Sequence, residues 1–166
     1  MLADYGNYYA WGEIETKDEY TTNNSVTYED HDAQLSTISG DASYDAAVAN
    51  LGGSWRMPTK HECQELVNDC TWTWTTQENS DGEAVNGFLV EGTNGNSIFL
   101  PAAGYRAGSL LYDAGTYGYY WSSANYTVGY SGYYHYAYNI LFHSIEYYVY
   151  GFNSRFYGVS IRPVSE

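Results

Sequence analysis

The distribution of tyrosine constrains this chain more than any other sequence feature. Residues 117–157 contain 13 of the 21 tyrosines, mixed with Ser, Asn, Gly and His, and only two charged side chains, Glu146 and Arg155. Aromatic residues have high strand propensity, so some of these rings are expected to pack within a sheet. Antibody combining sites use the same mixture of stiff amphipathic rings and small hydrogen-bonding residues. The composition therefore predicts strands and favours recognition over catalysis.

Length and charge restrict the class of partner. The 166 residues predict one domain with a sizeable core. Twenty acidic and six basic residues give a net charge of −14, and no Lys or Arg lies between Arg106 and Arg155. Nucleic acid is therefore an unsuitable partner, because phosphates require clustered cations. The sequence contains no apolar run of ~18 residues, so no membrane insertion is predicted. Residues 1–4 are not typical of a signal peptide.

One segment has a convincing helical pattern. Pro58 or Thr59 can begin a helix, and Glu62 follows Thr59 by three residues, as a capping box requires. Spacing of i, i+3, i+4 and i+7 then produces one apolar stripe, formed by Cys63, Leu66, Val67 and Cys70. The pattern predicts a helix over 59–70, and a weaker one over about 43–50.

The rest of the chain reads as short strands separated by glycine-rich turns and long loops. The two longest irregular stretches are residues 13–45 and 122–157, and long loops often carry function. Residues 138–143 alternate in character, which predicts two faces of one strand: Tyr138, Ile140 and Phe142 toward the core, and Asn139, Leu141 and His143 toward solvent.

Cysteine and histidine spacing predicts neither a disulfide nor a metal site. Cys63 and Cys70 would lie about 10 Å apart on one helix, too far for a disulfide, so both are expected to be reduced. The histidines His61, His135 and His143 lack the spacing of zinc ligands. The oxygen-rich turns 81–83 and 94–96 fit calcium binding or ordinary turn chemistry. We predict no metal and no cofactor.

Tryptophan and arginine each have a structural and a functional interpretation. Trp11, Trp55 and Trp121 are predicted to be core residues, the alternative being platforms for sugar rings. Trp72 and Trp74 alternate with threonines, which predicts one strand face turned to the core. The isolated cations Arg56, Arg106 and Arg162 are expected to pair with acids such as Glu13 or Glu65, the alternative being ligand capture.

Five sequence blocks resemble the major-paralogous-domain proteins of gut Bacteroidetes, which have the formylglycine-generating-enzyme type of C-type lectin fold. The blocks are YYAWGE at 8–13, GGSWRMPTKHE at 52–62, NGNSIFLPAAGYR at 94–106, GYYWSS at 118–123 and GVSIRPV at 158–164. The resemblance implies an α+β, C-type lectin-like fold: a small central antiparallel sheet, one or two helices and long loops. It also implies that 1–166 is a single domain whose first and last strands lie close together.

Many members of that family are variable proteins of diversity-generating retroelements, in which adenine-directed mutation rewrites a C-terminal segment. Asparagine-type codons altered in this way cannot encode Lys, Glu, Gln, Met or Trp, and residues 122–157 contain a single Glu and none of the other four. The resemblance thus implies a scaffold at about 1–121 and 158–166 and a variable segment at 122–157. Positions that look constant in the family correspond to Trp121, Ser122, Ser123, Ala137, Ile140, Phe142, Arg155 and Gly158.

Alternation and resemblance together predict one exposed binding surface. Its ligand-binding residues are expected to be Asn125, Tyr130, Ser131, Tyr133, Tyr134, Tyr136, Asn139, Leu141, His143, Tyr147, Tyr148, Tyr150, Phe152, Asn153, Ser154 and Tyr157. Five residues are expected to be buried beneath it, namely Trp121, Tyr138, Ile140, Phe142 and Ile161.

The predicted function is ligand binding, with a protein as partner. A calcium-dependent lectin needs clustered acids in its binding loop, and 122–157 contains one, although a carbohydrate-binding lectin or adhesin that takes a surface glycan stays as the alternative. The fold's namesake enzyme uses a cysteine in its C-terminal half, where this chain has none, and no GxSxG or phosphate-loop motif is present. We therefore predict no enzymatic activity. The resemblance implies a location outside the cell, at a cell surface or on a phage particle.

Overall fold

The computed structural model describes residues 3–28, 35–126 and 135–165, with backbone alone for Val149 and Tyr150. In chain order the α-helices and strands of the described residues are β1 Tyr8–Tyr9, α1 Ala46–Leu51, β2 Trp55–Arg56, α2 Lys60–Asp69, β3 Thr71–Glu78, β4 Ala84–Glu91, β5 Ser97–Pro101, β6 Tyr105–Ala107, β7 Leu110–Tyr112, β8 Tyr117–Asn125, β9 Tyr136–His143, β10 Glu146–Ser154, β11 Val159–Ser160 and β12 Val164–Ser165. A short 3-10 helix, Thr22–Asn24, lies between β1 and α1.

The predicted fold class, an α+β C-type lectin-like fold, is wrong. Strands make up 44% of the structure and helices 14%, so the molecule is β-rich with several sheets. The largest sheet has five strands in the order β1-β11-β8-β9-β10, and β3-β4-β5 form a second. Two short pairs, β2 with β12 and β6 with β7, complete the described sheets. Tyrosine, threonine and valine favour extended backbone, and frequent turn residues keep most strands short.

The helix predicted over 59–70 is confirmed as α2. Thr59 Oγ1 accepts a hydrogen bond from the Glu62 amide at 3.2 Å, and Glu62 Oε2 accepts one from the Thr59 amide at 2.8 Å. The Arg56 guanidinium donates to both oxygens of Glu62, at 2.8 and 2.7 Å. These hydrogen bonds, with that from Arg56 the strongest influence, lower the pKa of Glu62 to about 2. The start of α2 is therefore fixed by local polar contacts.

The weaker helix is also confirmed, although it begins three residues later than predicted. Asp45 is buried and caps α1 by accepting hydrogen bonds from the amides of Ala47 and Val48. Its second carboxylate oxygen accepts from the amides of Gly40 and Met57, both at 2.8–2.9 Å. One buried carboxylate thus joins the helix to two neighbouring loops.

The five-stranded sheet has a core cluster on each face. On the face turned to α2, the cluster consists of Cys63, Phe88, Val90, Leu100, Ala102, Tyr120, Ile140 and Phe142, with Trp72 and Trp74 packed against it as predicted. On the opposite face, the cluster consists of Trp11, Leu35, Ile38, Ala47, Met57, Trp121, Ala137 and Val159. Alternation along β8 and β9 sends successive side chains to these two clusters.

Three predictions about single residues have different outcomes. Trp11 and Trp121 are core residues, as predicted. The prediction for Trp55 is wrong, because this side chain lies in the two-residue edge strand β2 and is 43% exposed. Ile161 is half-buried rather than buried, since it follows the last residue of β11 and packs only at the margin of a cluster.

Cys63 and Cys70 are free thiols, and burial raises the pKa of Cys63 to about 12.

Replacing Glu62 by Gln is expected to remove an acid-sensitive contribution to stability. The folded pKa lies at about 2 and the ordinary value at 4.5. The contribution is therefore complete above pH 4.5 and is lost as the pH falls toward 2, because the unfolded state binds the proton first. Over that range the free energy of unfolding of the unaltered chain should fall by about 1–2 kcal/mol more than that of E62Q. This difference is smaller than the full pKa shift would give, because the carboxylate is partly exposed and solvent screens its charge.

Urea unfolding at a series of pH values measures this difference. Glu65→Gln is the matched control, because this carboxylate is exposed on the same helix and lies 3.6 Å from His61 at the surface. E65Q should retain the acid dependence of the unaltered chain. Equal acid dependence in E62Q would contradict the role assigned to the Arg56–Glu62 contact.

Candidate functional site

The face of the five-stranded sheet opposite α2 is covered at one end and open at the other. Trp121 pairs with Asn139 across β8 and β9, and that end lies beneath the second core cluster. Two pairs along, Tyr119 lies opposite Leu141 and Tyr117 opposite His143. Tyr119, Leu141 and His143 are half-buried and Tyr117 is exposed, so the open end presents side chains held on strand backbone.

Aromatic rings continue from this open end onto neighbouring elements. Tyr117 stacks on Tyr119 with ring centroids 6.2 Å apart and lies 5.1 Å from the His143 ring. Tyr105 of β6 contacts Tyr119 edge-on at 5.3 Å and stacks on Tyr112 of β7 at 5.4 Å. We call the whole set the tyrosine surface; its residues are Tyr105, Tyr112, Tyr117, Tyr119, Leu141, His143, Tyr148 and Tyr157. Tyr157 joins through a 4.9 Å contact with Tyr105, and Tyr148 through its pairing with Leu141.

Half of this surface was not predicted from the sequence. Tyr105, Tyr112, Tyr117 and Tyr119 precede residue 122, where the resemblance places the start of the variable segment. The β6–β7 hairpin also exposes apolar groups beside them, with Leu110 58% exposed. The run of tyrosines that begins at residue 117 was the available signal, since it starts before the variable segment.

Four phenols of the tyrosine surface have a raised pKa, namely those of Tyr105, Tyr119, Tyr148 and Tyr157. Burial raises the pKa of Tyr119, and the nearby Asp113 carboxylate raises it further. Burial also raises the pKa of Tyr105 and of Tyr157. The Tyr148 hydroxyl donates a hydrogen bond to Glu146, which raises its pKa as well. The surface therefore offers hydroxyl groups that donate and accept hydrogen bonds, with the Asp113 and Glu146 carboxylates beside them.

The residues predicted to bind ligand have different positions in the structure. Tyr147, Tyr148 and Phe152 are exposed, and the half-buried ones are Tyr136, Leu141, His143, Asn153 and Tyr157. Four others, Tyr130, Ser131, Tyr133 and Tyr134, lie outside the described residues, as does the side chain of Tyr150. The predicted buried residues Trp121, Tyr138, Ile140 and Phe142 are confirmed as buried.

Three residues predicted to be exposed are buried. Asn125 lies at the end of β8, where its backbone amide donates a hydrogen bond to the Ser36 carbonyl at 3.2 Å and residues 35–38 cover the strand. Ser154 precedes the buried Arg155, whose backbone amide donates to the His135 carbonyl at 2.7 Å and holds the chain against the body of the protein. Asn139 is 2% exposed because it lies on the covered end of the sheet.

The predicted residues also do not form one surface. Tyr147 pairs with Phe142 on the face turned to α2 and stacks on Trp72 with ring centroids 4.8 Å apart. Phe152 lies on the same face, where it contacts Tyr126 at 4.4 Å. A register irregularity between Tyr148 and Gly151 inserts one extra residue into β10. Odd-numbered residues of β10 therefore face α2 before this point, and even-numbered residues face α2 after it.

Comparison with known proteins gives no match to this chain among protein-family models, curated proteins or solved structures. The family resemblance therefore stays a prediction. None of the helices in the described residues is both long and apolar enough to cross a membrane. The same residues contain no group of three His, Cys, Asp or Glu side chains that could hold a metal ion.

Alanine at Tyr117 or Tyr148 should have little effect on stability. Both rings are exposed, so each substitution is expected to change the free energy of unfolding by less than about 1 kcal/mol. Trp121→Ala is the contrasting variant from the same strand as Tyr117 and should cost about 3–5 kcal/mol, because it leaves a cavity in the core. Chemical denaturation measures all three. Losses at Tyr117 or Tyr148 as large as that at Trp121 would show that these rings are structural.

Replacing Asn139 by Leu is expected to stabilise the fold. Neither the amide nitrogen nor the amide oxygen of this buried side chain has a hydrogen-bond partner. A leucine of similar shape removes two unpaired polar groups, which is expected to raise the free energy of unfolding by about 1–3 kcal/mol. Asn139→Asp should act in the opposite direction, since it places a charge at the same position. Thermal and urea unfolding decide the sign, and a less stable N139L would contradict the unpaired state of the amide.

Proposed function

We propose that this chain is a binding protein that recognises a protein partner through the tyrosine surface, and that part of this surface belongs to a segment diversified by a retroelement. The observation that carries the proposal is the arrangement of solvent-accessible tyrosines on paired strands. Such rings offer large contact areas and lose little side-chain entropy on binding. The activity proposed is binding without catalysis, outside the cell.

The size of the tyrosine surface supports a protein as partner. Tyr112, Tyr117 and Tyr148 are exposed and the other three rings are half-buried, so the rings can form the centre of a standard protein interface of roughly 800 Å² per partner. Interfaces also concentrate their binding energy in a few central aromatic residues. The exposed leucines Leu110 and Leu111 beside the rings extend the apolar part of the contact.

The burial of the scaffold positions supports diversification. All eight positions that the resemblance identifies as constant are buried, from Trp121 at the end of the scaffold to Gly158. In β9 the buried Ile140 and Phe142 alternate with Leu141 and His143, which are accessible. Substitution at the accessible positions can therefore change the binding surface while the packing beneath it is kept.

The contacts of Arg155 support the proposal that such a segment is held at its end. Its guanidinium lies 4.5 Å from the centre of the Trp11 ring and donates to the Thr27 carbonyl at 3.1 Å. The Arg155 carbonyl accepts a hydrogen bond from the Trp11 amide at 2.9 Å. Residues near the end of the proposed variable segment are thus tied to residues 11 and 27, in the N-terminal part of the chain.

The binding proposal is tested with a fluorescent tetramer of the chain applied to a panel of bacterial isolates. The Tyr117→Ala/Tyr148→Ala double variant is expected to lose at least tenfold in apparent affinity for any isolate that the unaltered chain binds, because two exposed rings of the surface are removed. The matched control is Thr71→Ala/Thr73→Ala, which removes two exposed side chains of β3. Protease treatment of the cells should abolish binding.

Two results would contradict this assignment. Unchanged binding by the tyrosine double variant would show that the ligand is bound elsewhere. Binding that resists protease and is lost after periodate oxidation of the cells would favour the alternative, a carbohydrate-binding lectin or adhesin. The diversification proposal is tested separately on the flanking DNA, which should contain a reverse transcriptase gene and a near-copy of codons 122–157 that differs at adenines.

A further inference from the structure

A cleft of about 680 Å³ lies between α2, β5 and the C-terminal strand β12. Its floor is apolar: α2 contributes Cys63 and Leu66, β5 contributes Ile98, and the central strands contribute Tyr120 and Ile140. This volume and this lining are typical of sites that bind small molecules. None of the eight residues of the tyrosine surface lines the cleft, so it is a separate feature of the described chain.

The rim of the cleft carries an exposed aromatic ring. Trp55 lines the cleft from the edge strand β2 and is 43% exposed, although it lies in a sequence block that predicted a core residue. Asn94 and Asn96, in the turn between β4 and β5, line another part of the rim and are exposed. An indole ring beside side-chain amides can hold a flat ring and hydrogen-bond to its substituents.

The cleft also carries the positive charge of Arg162. Each of the other five basic side chains contacts an acid, an aromatic ring or a backbone carbonyl; these are Lys17, Arg56, Lys60, Arg106 and Arg155. No contact of this kind is found for the exposed Arg162 guanidinium within the described residues. Its charge nevertheless acts on the phenol of Tyr120 in the cleft floor. Burial raises the pKa of this phenol, and the charge of Arg162 opposes that increase.

The acid in the cleft wall does not cancel this charge. Both oxygens of Glu62 already accept hydrogen bonds from Arg56 at 2.7–2.8 Å, and one of them also accepts from Thr59. In a chain of net charge −14, a guanidinium with no ion pair to an acid among the described residues is unusual at a concave apolar site. Guanidinium groups bind carboxylates with paired hydrogen bonds, so this arrangement selects an anion.

We propose that the cleft is a second binding site, for a small organic acid in which a flat or pyranose ring carries one carboxylate. The carboxylate pairs with Arg162 and the ring packs on Trp55 and the apolar floor. Aromatic carboxylic acids and hexuronic acids share this chemistry. The site is independent of the tyrosine surface and of the function proposed for it.

The test uses benzoate and glucuronate as probes, with benzamide and glucose as their uncharged counterparts. Isothermal titration calorimetry and saturation-transfer NMR are performed on the unaltered chain and on Trp55→Ala, Arg162→Gln and Arg162→Lys. We expect at least one acid to bind, its neutral counterpart to bind at least tenfold more weakly, and R162Q to lose at least tenfold. R162K should retain part of the affinity because it keeps the charge, and W55A should also weaken binding.

The control is Tyr148→Ala, which should leave binding of the acid unchanged. Thermal unfolding verifies that each variant folds, and if W55A does not, R162Q still decides the outcome because Arg162 is exposed. Binding of benzoate alone or of glucuronate alone supports the site and identifies the source of the carboxylate. The proposal is overturned if neither acid binds at millimolar concentration, if the neutral probes bind equally well, or if R162Q binds like the unaltered chain.

Discussion

The register between β8 and β9 determines which side chains of the sheet are buried and which reach solvent. Gly118 lies opposite Phe142, and a Cβ atom at Gly118 would be 2.0 Å from the Phe142 ring. That close approach requires glycine and fixes the pairing, because a shift of one residue would place a side chain there and send Phe142 to the other face. Both core clusters and the tyrosine surface follow from this single alignment.

Arg155 provides a second constraint, at the other end of the sheet. Burial of a guanidinium is costly unless it is paired, and here the compensation comes from the Trp11 ring and from backbone carbonyls. Carbonyl groups are available whatever side chains lie along the intervening chain. An anchor of this kind can therefore hold a segment whose side chains change.

The sequence predicted best those features that depend on local contacts. The helix α2 was predicted because its cap and its apolar stripe lie within fourteen residues, and the core position of Trp72 and Trp74 because the threonines between them mark a strand. Alternation assigned Tyr138, Ile140 and Phe142 to the core correctly. It assigned Asn139 wrongly, because a period of two gives the face of a strand but not the elements that cover that face.

Long-range arrangement accounts for the other errors. The extra residue in β10 places Phe152 on the opposite face from Tyr148, and nothing in the sequence marks where that irregularity falls. Tyr147 is separated from Tyr148 by ordinary strand alternation. Trp55 lies in a block that reads as scaffold, yet its strand is two residues long and pairs only with β12 among the described strands. The fold class followed from the resemblance, and the balance of strand and helix corrected it.

Asn139 connects stability with the proposed diversification. A buried side-chain amide without a hydrogen-bond partner typically lowers the free energy of unfolding by about 1–3 kcal/mol. That is a sizeable part of the roughly 5–15 kcal/mol that stabilises an ordinary domain. Gly151 lies opposite and leaves room for this side chain, since a Cβ atom there would be 2.2 Å from the Asn139 oxygen. Selection for packing alone would not retain a polar group at this point of the core. A segment rewritten codon by codon, as we propose for this one, would carry such residues wherever the two surrounding core clusters supply enough stability to tolerate them.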